Sequence, residues 1–94
     1  MEWASRLERV RVATSDGDFD LHWDEREELL ALLRATPGTE SAVNRFLAVG
    51  ATRPVELTDE QRALVVSAVE AARGASEALH ELRHAFIVEL DRAA

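Results

Sequence analysis

Two stretches of this chain carry residues whose types and spacing could do chemistry. In His80-Glu81-Leu82-Arg83-His84 two imidazoles stand four residues apart with a carboxylate between them. On a helix that spacing sets both histidines on one face, one turn apart. There they could share a zinc ion while the glutamate polarises a bound water. The second stretch runs through Asp16, Asp18, Asp20, His22, Asp24 and Glu27, hard oxygen donors at intervals that could wrap a calcium ion. Cysteine is absent, which excludes disulfides, thiol catalysis and cysteine-ligated zinc. The four glycines form no phosphate-cradling loop, and no G-x-S-x-G nucleophile motif occurs.

The first stretch resembles the HExxH motif of zinc metallopeptidases. Positions 87 and 90, where the extended form of that motif carries glycine and histidine, hold Ile87 and Leu90. Arg83 is a charged residue where the family calls for an uncharged one. On a helix whose core stripe is Leu79, Leu82, Phe86 and Leu90, His80 and His84 lie roughly 120° and 160° from that stripe. They share the outer face with Glu77 and Glu81. The motif is therefore read as coincidental and the chain as no enzyme, with His80 and His84 forming at most a weak zinc site.

The second stretch resembles the twelve-residue calcium loop of an EF-hand, with Asp16 at its first position and Glu27 at its last. Its sixth position demands a sharp left-handed bend, which favours glycine, and this chain has Leu21 there. The residues before the loop alternate like a strand, whereas an EF-hand needs an incoming helix. No cofactor is expected, with calcium at Asp16, Asp18, Asp20, Asp24 and Glu27 kept as the alternative.

The elements that must position these residues follow from hydrophobic spacing. The 94 residues suit one small domain, and about half of them are apolar. Val10 and Val12 alternate with arginines, and Phe19, Leu21 and Trp23 alternate with Asp18, Asp20 and His22. With Asp16-Gly17 between them, these two runs predict a β-hairpin over residues 8–23 whose tip is Asp-Gly. Trp23 and Phe19 are expected to pack against Leu29 and Leu33. Trp3 and Leu7 could form a helical turn before the first strand.

A first helix is expected from an Asp24/Glu27 capping box through Leu29, Leu30, Leu32 and Leu33 to a stop at Thr36-Pro37-Gly38. A second runs from Thr39 or Ser41 to Val49 with Val43, Phe46 and Leu47 inward and Gly50 as its stop. Pro54–Leu57 reads as a short extended piece. Thr58 and Gln61 form a capping box for a third helix, with Leu64, Val65, Ala68, Val69 and Ala72 as its stripe. Gly74 and Ser76 then mark a stop and a new cap, unless the last two helices fuse into one rod. The fold class is α+β, mainly helical, with about four amphipathic helices and a short N-terminal hairpin; an all-α bundle is the alternative.

Charge points to a partner class. The net charge is −7, from 18 acidic residues against 11 arginines and no lysine. Seven acids and one arginine fall within residues 16–28, so this block alone carries −6. Such a block repels phosphate backbones and attracts basic surfaces. The all-arginine basic set and the abundance of alanine suggest a GC-rich bacterial source. No leader segment and no run of 18 apolar residues is seen, so a cytoplasmic setting is expected, with no membrane or nucleic-acid partner. The expected role is a non-catalytic interaction or regulatory module. Its partner is another protein, with a basic surface, and homo-oligomers are open. The expected contact residues are Asp18, Asp20, His22, Trp23, Asp24 and Glu28. A divalent-metal-binding protein and a small acidic inhibitor or immunity-type protein are the alternatives.

Overall fold

The computed structural model describes residues 9–15, 17–48 and 53–93. The expectations for Trp3, Leu7, Asp16, Val49 and Gly50 lie outside them. Among the described residues the chain is α+β and mainly helical. An antiparallel hairpin, β1 (Arg9–Thr14) and β2 (Gly17–His22), precedes four helices: α1 (Trp23–Arg34), α2 (Glu40–Ala48), α3 (Asp59–Ala71) and α4 (Glu77–Ala93).

The hairpin register follows the alternation of its sequence. Val10 faces Leu21 and Val12 faces Phe19 across the ladder, while Arg9, Arg11 and Ala13 face His22, Asp20 and Asp18. Because side chains alternate between faces, one side of the ribbon is apolar. Val10, Val12 and Leu21 are fully buried there, and Phe19 packs half-buried against the same core. The ladder closes at Thr14–Gly17, so Gly17 is the first residue of β2 rather than part of the tip. Its φ of 119° is open only to glycine. On the far side of β1, Val55 makes a single parallel bridge to Val12. Its amide donates to the Arg11 carbonyl (2.7 Å) and its carbonyl accepts from the Ala13 amide (2.9 Å). The expected extended piece at 54–57 thus contributes one bridge and not a full strand.

Helix α1 starts earlier than its capping signal suggests. The ladder runs to His22, and helical geometry begins at the next residue, Trp23. His22 is the N-cap and its amide donates to Glu25 Oε1 at 2.8 Å. The box therefore forms two residues upstream of the expected Asp24/Glu27 pair. Leu21 is held in the core by its ladder partner Val10, which leaves no residues for a loop before the helix. Trp23, expected on the strand's apolar face and packed on Leu29 and Leu33, instead opens the helix and is 38% exposed. Leu29, Leu30 and Leu33 are buried and Leu32 half-buried, as the stripe predicts.

Helix α2 buries Ala42, Val43 and Phe46 but leaves Leu47 51% exposed, against expectation. Ala42 and Phe46 stand one turn apart at the centre of the contact line; Val43 on its margin is still buried, and Leu47, one turn further along that margin at the end of the helix, is not. Thr39 sits buried at the head of this helix. Its hydroxyl lies within hydrogen-bond reach of the Leu33 and Thr36 carbonyls, the latter at 2.9 Å. Helix α3 has the expected cap: the Thr58 amide donates to Gln61 Oε1 (2.9 Å) and the Gln61 amide to Thr58 Oγ1 (3.1 Å). It buries Val65, Ala68 and Val69, with Leu64 and Ala72 at the margin. The chain then turns at Gly74, whose φ is 79°, so α3 and α4 are separate helices and not a rod. Leu79, Leu82 and Phe86 of α4 complete the core, and Leu90 is half-buried.

Polar ties hold the hairpin and the last helix in register. Glu89 on α4 forms an ion pair with Arg62 Nε on α3 at 2.9 Å, with side chains 9% and 19% exposed. The Glu89 carboxylate also accepts the Ser15 amide from the hairpin turn. Arg62 keeps a second partner in Asp59 at 2.8 Å. Glu28 on α1 accepts the Ser76 amide at 3.0 Å, fixing the α3–α4 turn against α1. Arg83 and Glu70 pair across α3 and α4 at 2.6 Å.

Two stability outcomes follow. Gly74→Ala forces a Cβ into left-handed backbone and is expected to cost about 1–2 kcal/mol, measured by urea unfolding. Glu89→Ala strips a nearly buried guanidinium of its main partner. A cost of about 2–3 kcal/mol is expected, below that of a fully buried pair because Arg62 keeps Asp59.

Candidate functional site

Among the described residues the acidic block lies on β2 and the first two turns of α1. Asp18, Asp20 and His22 are alternate residues of β2, and all three are exposed on the face opposite Leu21. Trp23 and Asp24 follow without a break and are exposed as well. Five of the six residues expected as the contact set are thus exposed, on β2 and the first turn of α1 that follows it directly. The sixth, Glu28, is half-buried and committed to the Ser76 amide.

The charge on this surface is smaller than the sequence count. Arg11 reaches diagonally across the hairpin to Asp18, Nη1 to Oδ2 3.7 Å. Glu25 is spent on the amide of His22. Glu27 pairs with Arg26 at 2.5 Å. Among the described residues, Asp20 and Asp24 are the acids of the block that carry no hydrogen bond or ion pair. They flank Trp23 along the chain.

Arg26 shapes the middle of this surface. It is only 7% exposed, unusual for arginine, because its guanidinium lies over the Trp23 ring at 4.1 Å from the centroid. The contact is a cation–π stack. One face of the indole is covered by the arginine, and Trp23 as a whole stays 38% exposed. Trp23 and Arg26 are one helical turn apart, an i,i+3 pair. That spacing was legible, but the strand assigned to Trp23 hid it.

The candidate calcium ligands do not converge. Asp18 and Asp20 are spread along a strand, Asp24 and Glu27 project from a helix, and Asp16 lies outside the described residues. Leu21, at the position needing a left-handed bend, is an extended core residue, and no described non-glycine residue has positive φ. Among the described residues no three histidine, aspartate or glutamate side chains are grouped to hold a metal ion. His80 and His84 are exposed on α4 beside exposed Glu77 and Glu81, on the side away from Leu79, Leu82 and Phe86. The pair is present, but no third ligand joins it among the described residues.

Two open clefts were not foreseen from the sequence. One, of about 430 Å³, lies where α1 turns into α2, among Arg34, Thr36, Glu40 and Asn44. The other, of about 380 Å³, lies at the β1 edge beside the Val55 bridge, among Asp18, Arg45, Arg53 and Glu56. Its Arg45 Nε donates to the Glu56 carbonyl at 2.9 Å. Both combine opposite charges, and neither holds a histidine or a nucleophile–base pair. The first is built from one continuous stretch, the α1–α2 turn and the start of α2, whereas the second joins segments distant in sequence that no spacing pattern relates. Among the described residues no helix is long and apolar enough to cross a membrane.

In comparison with known proteins, no family model matches the chain, no curated protein matches it, and no solved structure matches it.

Ligands spread along β2 cannot enclose an ion, so millimolar calcium is expected to leave the melting temperature within about a degree. An ion held at 100 times its dissociation constant would add about 2.7 kcal/mol, a shift of several degrees in a scanning calorimeter.

Proposed function

We propose that this chain is a non-catalytic protein-interaction module of a bacterial cytoplasm. Its contact face is Asp18, Asp20, His22, Trp23 and Asp24, and its partner offers a basic surface. The observation that carries the reading is an exposed tryptophan, 38% open, with two exposed carboxylates near it along the chain, Asp20 and Asp24, that have no partner among the described residues. An indole kept rigid by the Arg26 stack offers large apolar area at little entropic cost, which is the profile of an interface anchor. Asp20 and Asp24 add charge around it that speeds encounter with a cationic partner and disfavours nucleic acid. Glu28 supports the fold rather than the contact.

The test compares proteins retained from a bacterial lysate by the immobilised chain with those retained by Trp23→Ala and by Asp20→Arg/Asp24→Arg. Partners of this face are expected on the parent alone, to elute by about 0.5 M salt, and to lose at least tenfold in affinity with either variant. Equal retention by all three proteins defeats the reading. The Asp20→Arg/Asp24→Arg variant is expected to melt close to the parent, and Trp23→Ala a few degrees lower but still folded, because it uncovers the buried Arg26 guanidinium.

A further inference from the structure

The two edges of the hairpin are treated differently. In an antiparallel ladder, residues alternate between those that bond across to the partner strand and those whose amide and carbonyl point outward. On β1 the outward residues are Arg9, Arg11 and Ala13, and the last two bond to Val55. Their ladder partners, Asp20 and Asp18, must therefore point their own backbone groups outward from β2. Among the described residues nothing bonds to those groups, and both residues are exposed. The third outward position, His22, is closed because its amide is used by Glu25. The open edge is thus short, offering two amides and two carbonyls at Asp18 and Asp20.

We propose that this edge is a strand-addition site whose occupant is an extended segment of another protein, with lysine or arginine at every second residue. The proposal rests on the acidic-face reading above and names how the partner sits on it. Residues opposite Asp18 and Asp20 in an added strand share their face of the sheet, so cations there meet carboxylates. The intervening residues of the segment come beside Phe19, which is half-buried, and suit small or branched apolar side chains. A second copy of this chain is the wrong occupant. Antiparallel pairing of β2 with itself about Phe19 sets Asp18 against Asp20 twice over, and like charges directly opposite are repulsive. The same aspartates therefore keep the edge from self-association while leaving it open to a basic strand.

The experiment uses the full chain labelled with nitrogen-15 and four synthetic probes. These are a nine-residue peptide alternating lysine and valine, the same peptide N-methylated at its lysine amides, the same peptide N-methylated at its valine amides, and a helical peptide of equal charge. Affinities and amide exchange are read by NMR. The alternating peptide is expected to bind, to slow exchange at the Asp18 and Asp20 amides, and to outbind the helical peptide. Methylating the lysine amides, which face β2 in antiparallel pairing, should cost at least about tenfold, with the valine-methylated peptide spared. The reverse pattern marks parallel pairing and supports the site equally. Indifference to both methylations, with shifts at Trp23 and Asp24 and none at Asp18 and Asp20 exchange, overturns strand addition but leaves the acidic contact face standing. Absence of binding by every cationic probe at millimolar concentration overturns both.

Discussion

A two-stranded hairpin is not stable by itself in water, and this chain begins its described structure with one. The constraint on everything that follows is that Val10, Val12 and Leu21 must be covered. The helices do so from below, contributing Leu29, Leu30 and Leu33 from α1, Phe46 from α2, Val65 and Val69 from α3, and Leu79, Leu82 and Phe86 from α4 to one continuous core. Each fully buried leucine or phenylalanine contributes about 1.5–3 kcal/mol, so the hairpin is held by helix faces rather than by its own ladder. The polar ties follow the same logic. Glu89 reaches the hairpin turn, and Val55 bonds along β1, each fixing the ribbon where it would otherwise fray.

That arrangement also sets the polar surface. Since one face of the ribbon is committed to the core, Asp18, Asp20 and His22 have no choice but the other. Since Leu21 is pinned and α1 starts without a loop, Trp23 is carried out of the core and onto the rim of the same surface. Arg26, one turn later, is the buried member of the pair, its guanidinium lying against one face of the indole. The exposed aromatic and the open carboxylates are thus consequences of a strand running directly into a helix, and the proposed contact face is built by that junction.

Electrostatics redistributes what the composition counts. The −6 block in sequence resolves into acids that cap, acids that pair and acids that stay open. The arginines that temper it, Arg11 and Arg26, belong to different elements, one across the ladder and one on α1. A block charge read linearly overstates the field felt by a partner, because opposite charges within a few ångströms screen each other before solvent does.

Much of the architecture was legible because it depends on local rules. Period-two alternation at Val10–Val12 and Phe19–Leu21 determined the hairpin and its faces. The Thr58/Gln61 box and the glycine at 74 determined where α3 starts and where it is parted from α4. The leucine and phenylalanine stripes determined which helix faces turn inward. Tertiary structure alone decided the rest. The capping box slipped from Asp24/Glu27 to His22/Glu25 because Leu21, fixed in the core by Val10, dictated where the helix could begin. Leu47 was left outside because the contact line of a nine-residue helix ran through Ala42 and Phe46. The pairing of Arg62 with Glu89, the contact of Glu28 with Ser76, and the use of one hairpin edge but not the other join residues distant in sequence. Spacing along a chain reports only neighbours on the same element. Which element lies opposite is determined by how the buried faces close on one another.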